Sequence, residues 1–310
     1  MTERSHGFNI DAKTVEGFGK EWAAYDQSDL PAREHQALFD AYFSCFPFED
    51  LPDDAEGFDL GCGSGRWALL MADRVRTLHC IDPAAEALDV ACRRLDGKSG
   101  VQFHLAGVDG IPLPDDSQDF GYALGVLHHV PDTAAAMASC VRKLKPGAPF
   151  LVYLYYALDN RPLWFRGIWR VTDCFRWGIC RLPFPLRKAV ASLAAATIYF
   201  PLARLSALLE KQVGADVSHI PLSSYRTNSF YTMRTDALDR FGTRLEQRFT
   251  RRQIQAMMEA SGLTEIRFRE EPPYWVACGH KAARTDAFID APSPPLGSSA
   301  RSPGAADGRA

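Results

Sequence analysis

The sequence predicts an α/β fold, an open doubly wound sheet that carries one large helical insertion, and three observations predict it. Short apolar runs of strand length alternate with segments whose apolar residues recur at helical spacing. The first strand-to-helix junction is the glycine-rich stretch Phe58-Asp59-Leu60-Gly61-Cys62-Gly63-Ser64-Gly65, where glycines at alternate positions let the backbone turn sharply and approach a ligand closely. The stretch from Ala157 to roughly Phe249 is far longer than the connection such a sheet needs. At 310 residues, 46% of them apolar, the chain is sized for one core with a sizeable insertion.

Residues 1–55 read as a helical N-terminal cover. Phe18-Gly19-Lys20-Glu21-Trp22, followed by Tyr25, has the pattern of an amphipathic helix, and Pro31 to Phe46 is a second helix with Leu38, Phe39, Tyr42 and Phe43 on one face. The first strand ends at Leu60 and is expected to be short, because Asp53-Asp54-Ala55-Glu56-Gly57 precedes it. Helix-favouring Trp67-Ala68-Leu69-Leu70-Met71-Ala72 follows the glycines. A second strand, Leu78-His79-Cys80-Ile81, ends at Asp82. An acidic side chain about twenty residues past such a loop accepts hydrogen bonds from ribose hydroxyls, so a nucleotide-like ligand is the expected occupant.

Pro83 to Leu95 reads as a helix with Ala87, Leu88, Ala91 and Leu95 on one face, and Val101-Gln102-Phe103-His104-Leu105 alternates as a third strand. Asp119-Phe120-Gly121-Tyr122-Ala123-Leu124-Gly125 leads through a fourth strand to Val126-Leu127-His128-His129-Val130-Pro131-Asp132. Asp132 caps the next helix, Arg142, Lys143 and Lys145 complement its C-terminal dipole, and Pro146-Gly147 stops it. The fifth strand is Pro149 to Tyr155. After the insertion, Thr250 to Gly262 is a capped helix, Leu263 to Phe268 a strand, and Tyr274 to Gly279 the last strand.

Asp59-Leu-Gly-Cys-Gly-Ser-Gly65 with Asp82 resembles the cofactor loop of the class I S-adenosyl-L-methionine (SAM)-dependent methyltransferases, especially the small-molecule group called type 11. The dinucleotide-binding fingerprint is the nearest rival, but it needs a third glycine where Arg66 stands. Asp119 before the fourth strand and Leu127-His128-His129-Val130 after it are the second match, in the order the family shows. The resemblance covers residues 58–156 well and 250–280 moderately. It implies a Rossmann-like sheet of seven strands, six parallel and one antiparallel, and SAM as cofactor. It also implies Asp59, Gly61, Gly63, Gly65, Asp82, Asp109 and Gly125 as cofactor-binding residues, with Asp109 in Ala106-Gly107-Val108-Asp109 meeting the adenine. The N-terminal helix resembles the element that covers the cofactor in this group. The domain reading is then a cover (1–55), a core (56–156 and 250–281), a lid and substrate insertion (157–249) and a disordered tail rich in Ala, Pro, Ser and Gly (282–310).

The insertion carries the substrate information. From Ala157 to Gly214 there are nine Lys or Arg against three Asp or Glu, interleaved with Trp164, Phe165, Trp169, Phe175, Trp177, Phe184, Tyr199 and Phe200. Such a segment suits a buried lid with snorkelling arginines, a cover for a hydrophobic or acidic substrate, or peripheral contact with the inner face of a membrane. The uncharged run Ala189–Ala203, interrupted by Pro201, falls short of a bilayer span. Asn228, Tyr231, Arg234, Asp236 and Asp239, and Tyr25 of the cover, are candidate substrate contacts. Glu271-Pro272-Pro273-Tyr274 looks like the motif of methyltransferases acting on base amines, but it lies at the last strand rather than at the end of the fourth, so it reads as a turn.

Net charge of −3 is no nucleic-acid signature. The eight cysteines form no CxxC pair and no metal-ligand spacing, and the N-terminus is polar, which together suit a reducing cytoplasm and no metal. The expected function is methyl transfer to a small-molecule acceptor, hydrophobic or lipid-linked. His128 is the candidate general base if that acceptor is a hydroxyl. The alternative is a non-catalytic SAM-binding or partner-binding protein that keeps the fold.

Overall fold

The computed structural model describes residues 9–283. Two helices come first, α1 (Ala12–Ala24) and α2 (Ala32–Tyr42). The core then runs β1 (Glu56–Leu60), α3 (Ala68–Met71), β2 (Thr77–Asp82), α4 (Ala85–Arg94), β3 (Val101–Leu105), β4 (Phe120–Leu124), α5 (Thr133–Lys143) and β5 (Pro149–Tyr153). The insertion supplies α6 (Leu163–Ile179), α7 (Phe184–Ala194), α8 (Phe200–Val213) and α9 (Phe230–Gly242), and α10 (Arg251–Ala260), β6 (Leu263–Phe268) and β7 (Val276–Lys281) close the chain. The strands form one sheet in the order β3-β2-β1-β4-β5-β7-β6. Strand β7 is antiparallel to both neighbours and the other pairings are parallel, which is the six-plus-one sheet expected from the sequence.

The shortage of aliphatic residues in β1 has a packing explanation. Gly57 stands opposite Phe120 and Phe58 opposite Gly121 in the β1–β4 register. A Cβ on Gly57 would lie 2.4 Å from the Phe120 ring, and one on Gly121 would lie 2.3 Å from the Phe58 ring. Each aromatic ring thus fills the space its partner glycine leaves, one ring on each face of the sheet, and the two strands reach interior density together. Glu56, at the solvent end of β1, pairs with His79 Nε2 at 2.9 Å and accepts from Gln118 Nε2 at 3.3 Å.

One face of the sheet buries Phe58, Ile81, Phe150 and Val152 against α5 and α10. The other buries Leu78, Phe120 and Tyr122 under α2, α3 and α4, where Phe39 of α2 and Phe43 just past its end stack at 4.2 Å. A third cluster joins Tyr25 and Leu30 of the leader to Ala191, Tyr199 and Leu238 of the insertion, so cover and lid pack as one body beside the sheet. Asp132 caps α5 by accepting from the Ala135 N–H at 2.9 Å, and Thr250 and Gln253 form a reciprocal capping box on α10.

Several boundaries differ from those expected. Helix α2 stops at Tyr42, β5 ends at Tyr153 and β7 starts at Val276; beyond the two strand ends, Tyr155 donates to Asp239, Trp275 donates to Asp159 and Tyr274 packs on Tyr156. The largest difference is in the insertion. Pro201 does not end the helix there: a π-helical turn at Ala195–Tyr199, in which the Phe200 N–H reaches back to the Ala195 carbonyl, carries the chain from α7 into α8 past the proline. Phe184–Val213 is therefore one rod of 30 residues, long and apolar enough by length and composition to cross a membrane. Most of the tail expected to be disordered lies outside the described residues.

Candidate functional site

Strand order reverses between β1 and β4, and an open α/β sheet takes its ligand in the crevice at the carboxyl ends of the strands beside that point. A cavity of about 1320 Å³ opens there, walled on one side by the glycine loop and on the other by the insertion. Its volume exceeds the roughly 300–1,000 Å³ of an ordinary small-molecule pocket, which leaves room for a cofactor and an acceptor together.

The loop is held from below. Gly61 and Cys62 donate their N–H groups to the Ile81 carbonyl at 2.7 and 3.2 Å, and the Gly63 N–H donates to Asp82 Oδ2 at 2.9 Å. Gly61 and Gly63 have φ of +73° and +54°. A Cβ at Gly61 would sit 2.4 Å from Val126, and one at Gly63 would sit 2.9 Å from the Trp22 indole nitrogen. Both glycines are thus needed for conformation and for close approach. Both lie on the cavity wall, whereas Gly65 faces Ala91 and Leu95 of α4. Gly125, with φ of +81°, is also on the wall, with no atom within 4 Å of where a Cβ would project.

Asp82 is buried on the same wall, and its Oδ1 accepts from the Ala84 N–H at 2.8 Å. Burial pushes its pKa up to about 6, against the pull of the two backbone N–H groups. Each oxygen keeps further acceptor capacity for a ligand. Asp59 is buried off the wall, and its Oδ2 has no hydrogen-bond partner among the described residues. Burial holds the Asp59 carboxyl well above its usual range; the Tyr122 phenol opposes this and the charge of Asp82 adds to it. Asp109 is exposed and off the wall, and its carboxylate accepts from the Asn9 backbone N–H. Asn9 also bridges to the Asp132 backbone with two bonds of 2.7 Å, so Asp109 sits in the contact that pins the leader across the core.

His128 is fully buried and does not line the cavity. Its ring lies 3.9 Å from the Tyr155 ring, neither nitrogen has a partner among the described residues, and burial drives its pKa well below the usual value. His129 does line the cavity, with Nδ1 at 2.7 Å from the Leu245 carbonyl and a pKa pushed down by burial to about 4. Of the other candidates, Asn228, Asp236 and Asp239 reach the wall. Tyr25, Tyr231 and Arg234 are packed behind it instead, with the Arg234 guanidinium 4.7 Å from the Tyr25 ring centre and the Gln27 N–H donating to the Tyr231 hydroxyl at 2.9 Å.

The wall opposite the glycine loop is acidic. Asp236 and Asp239, one turn apart on α9, share a face. The Tyr155 hydroxyl, just past the end of β5, donates to Asp239 Oδ2. Burial pushes both carboxyls up to about 6; for Asp236 the Arg66 charge opposes this, and for Asp239 the Tyr155 bond does. Glu21 of α1 faces the same space, its pKa held well above the ordinary value by burial and then by the charges of Asp239 and Asp236. Behind Tyr155, buried Glu246 pairs with Arg240 at 2.9 Å and Arg248 at 2.7 Å. Glu21, Tyr155 and Arg66 were not singled out as wall residues by sequence reasoning, since nothing local marks them; only the convergence of α1, β5 and the glycine loop on one cavity does.

SAM fits what the first wall presents: a loop without side chains at positions 61 and 63, a buried carboxylate with spare acceptor capacity where a ribose diol would lie, and an orphaned carboxylate oxygen at Asp59 beneath. Residues 58–152 match the family model described as a methyltransferase domain. The chain is 26% identical over 151 residues to the malonyl-[acyl-carrier protein] O-methyltransferase of Serratia marcescens, covering 49% of this chain and 55% of that protein. It is 34% identical over 106 residues to a ubiquinone biosynthesis O-methyltransferase of Thiobacillus denitrificans, covering 33% and 44%. A solved SAM-dependent methyltransferase from Thermotoga maritima is 14% identical with a TM-score of 0.47, over 86% of this chain and 99% of that one. The chain spans about half, or less, of the length of these curated relatives. The sheet order, the glycine loop and the matched segment place residues 58–152 among the class I SAM-dependent methyltransferase domains. SAM is the cofactor of that domain class.

Proposed function

We propose that this protein transfers a methyl group from SAM to an O–H or N–H group of a small, largely apolar acceptor, with Asp239 as the general base. The observation that carries the reading is the convergence of the glycine loop and Asp82 on one side of a single cavity with the Asp239–Tyr155 pair on the other. SAM, when bound, supplies a methyl on a sulfonium that a nucleophile displaces in line. The chain has to orient the nucleophile, take its proton and exclude water.

Gly61, Gly63, Asp82 and Gly125 form the cofactor side in this reading, with Asp59 beneath the loop. Asp239, at about 6, is ionised at neutral pH yet still basic enough to accept a proton, and Tyr155 holds one of its oxygens in place. His129, at about 4, is the weaker base, and His128 lies off the wall. Phe165, Trp169 and Tyr199 give the far wall an apolar lining suited to a ring or chain. The O-methyltransferase relatives support the same class of reaction.

Isothermal titration with SAM and with S-adenosylhomocysteine, on wild type and Asp82→Ala, tests the cofactor side. Wild type binds both, and the variant loses roughly 1.5–3 kcal/mol, about ten- to a hundredfold in affinity, for hydrogen bonds to a charged group. Wild type that is folded and binds neither would end the methyl-transfer reading and leave a partner-binding role.

A further inference from the structure

The outward faces of the insertion's helices expose apolar residues that the cavity does not explain. Trp164, Ile168, Val171 and Phe175 recur on α6 at i, i+4, i+7 and i+11, which is one helix face, and none of them is covered. Trp164 is 52% exposed and Phe175 64%. Along the Phe184–Val213 rod, Leu186 and Leu193 repeat the pattern at 54% and 63%, and Ile198, Leu205 and Leu208 continue it. Apolar exposure on this scale goes beyond the scattered surface residues of a soluble domain.

Charge identifies what fits it. The acids of the segment are all engaged: Asp173 with Arg176, Glu210 with Arg226, and Asp159 with Trp275 and the Arg251 N–H. Arg166, Arg170 and Lys211 have no side-chain partner among the described residues, and exposed Arg181 stacks 3.9 Å over the exposed Trp177 ring. An apolar stripe on one face of α6, with Arg166 and Arg170 turned toward its other face, is the pattern of a helix lying in an anionic bilayer surface, where the stripe enters the acyl boundary and the cations meet headgroups.

We infer that the exposed faces of α6 and of the α7–α8 rod dock this protein onto an anionic phospholipid bilayer, lying in its surface. The rod lies flat because its other face is committed: Ala191, Ala195, Tyr199 and Ala203 are buried against the leader and α9. Inserting it across the bilayer would strip that cluster. The inner faces of the same helices, through Phe165, Trp169 and Tyr199, wall the cavity. An amphiphilic acceptor dissolved in the bilayer would thus meet the site without crossing water, a consequence that rests on the methyl-transfer reading while the docking itself does not.

Sedimentation with vesicles of phosphatidylcholine alone, and of phosphatidylcholine with phosphatidylglycerol, tests the docking on the full chain. Binding to the anionic vesicles that weakens with salt and is released by alkaline wash is expected. Trp164→Ser and Phe175→Ser should each lower partitioning by roughly tenfold, the worth of one buried aromatic side chain. Arg166→Gln and Arg170→Gln should each lower it about fivefold. All four should keep the wild-type far-ultraviolet spectrum and SAM affinity, so loss of docking and failure of the cofactor site read out separately. Absence of vesicle binding, equal and salt-independent binding to neutral vesicles, or resistance to alkaline wash would each overturn the proposal. So would a dimer in solution that the Trp164 and Phe175 variants split into monomers that, like wild type, ignore vesicles.

Discussion

In the proposed reaction Asp239 and Asp82 rely on the same physical device, a carboxyl lifted by burial and partly restrained by hydrogen bonds, and both line one cavity. Removing the proton acceptor at Asp239 while keeping its shape should cost 10²–10⁴-fold in kcat, the usual worth of a general base, with SAM affinity unchanged. Asp239→Asn assayed against its acceptor by S-adenosylhomocysteine release checks this. In wild type, kcat should rise to a plateau above about pH 6, and that limb should vanish in Asp239→Asn but survive in His129→Gln. The two residues were not equally legible. Asp82 stands at a fixed distance from the glycine loop along the chain, so its role is readable from spacing. Asp239 could be seen as one of several polar residues on a helix, but its burial depends on Tyr155 and Glu21, which arrive from a strand end and from the leader. His128 shows the converse: a motif at the right strand end marks the place, but the side chain turns into the core and its neighbour His129 faces the cavity.

At the scale of the element, the glycine loop separates backbone strain from ligand approach. Gly63 and Gly97 both have positive φ, so alanine at either adopts a left-handed conformation costing about 1–2 kcal/mol. Only at Gly63 does a Cβ approach the cavity wall, 2.9 Å from Trp22, whereas at Gly97 nothing lies within 4 Å. Gly63→Ala should therefore weaken SAM binding as well as lower the melting temperature, and Gly97→Ala should lower the melting temperature alone. Calorimetry and titration on the same two samples decide it, and Gly63→Arg should abolish binding. The core elements were legible because their signals are local: strand runs, the Asp132 cap, and the Thr250–Gln253 box on α10. Two elements show where local signals stop. Strand β1 looks too weak because half of its packing belongs to Phe120, across the sheet. The long rod looks broken at Pro201 because the π-helical turn that absorbs the proline has no sequence signature of its own.

For the whole molecule, protonation, folding and cofactor binding are linked. Asp82 titrates near 6 in the fold and at an ordinary 3.8 when unfolded, so the folded state holds its proton more tightly. Its contribution to stability is fully present below the unfolded value and is lost as pH rises through 6, an effect of roughly 3 kcal/mol for a shift of this size. Asp236 and Asp239 act in the same direction. His129 acts in the opposite one: pushed down to about 4, it favours the fold above the ordinary histidine value and loses that contribution as pH falls through 4. The three carboxyls outweigh the one histidine, so the protein without cofactor should lose melting temperature as pH rises from about 4 to about 6. SAM acts in the opposite direction if, as proposed, its ribose diol is bound by the ionised form of Asp82. Below pH 6 its affinity should fall about tenfold per pH unit, the slope for one linked proton. A SAM concentration a hundredfold above the dissociation constant stabilises by about 2.7 kcal/mol, and one pH unit below the break about half of that is gone. Melting curves with and without SAM across this range measure the slope directly. Asp82→Asn should bind more weakly but with a flat pH profile, while Asp59→Asn should keep the break; a break that persists in Asp82→Asn would move the linked proton away from the residue on which the cofactor assignment rests.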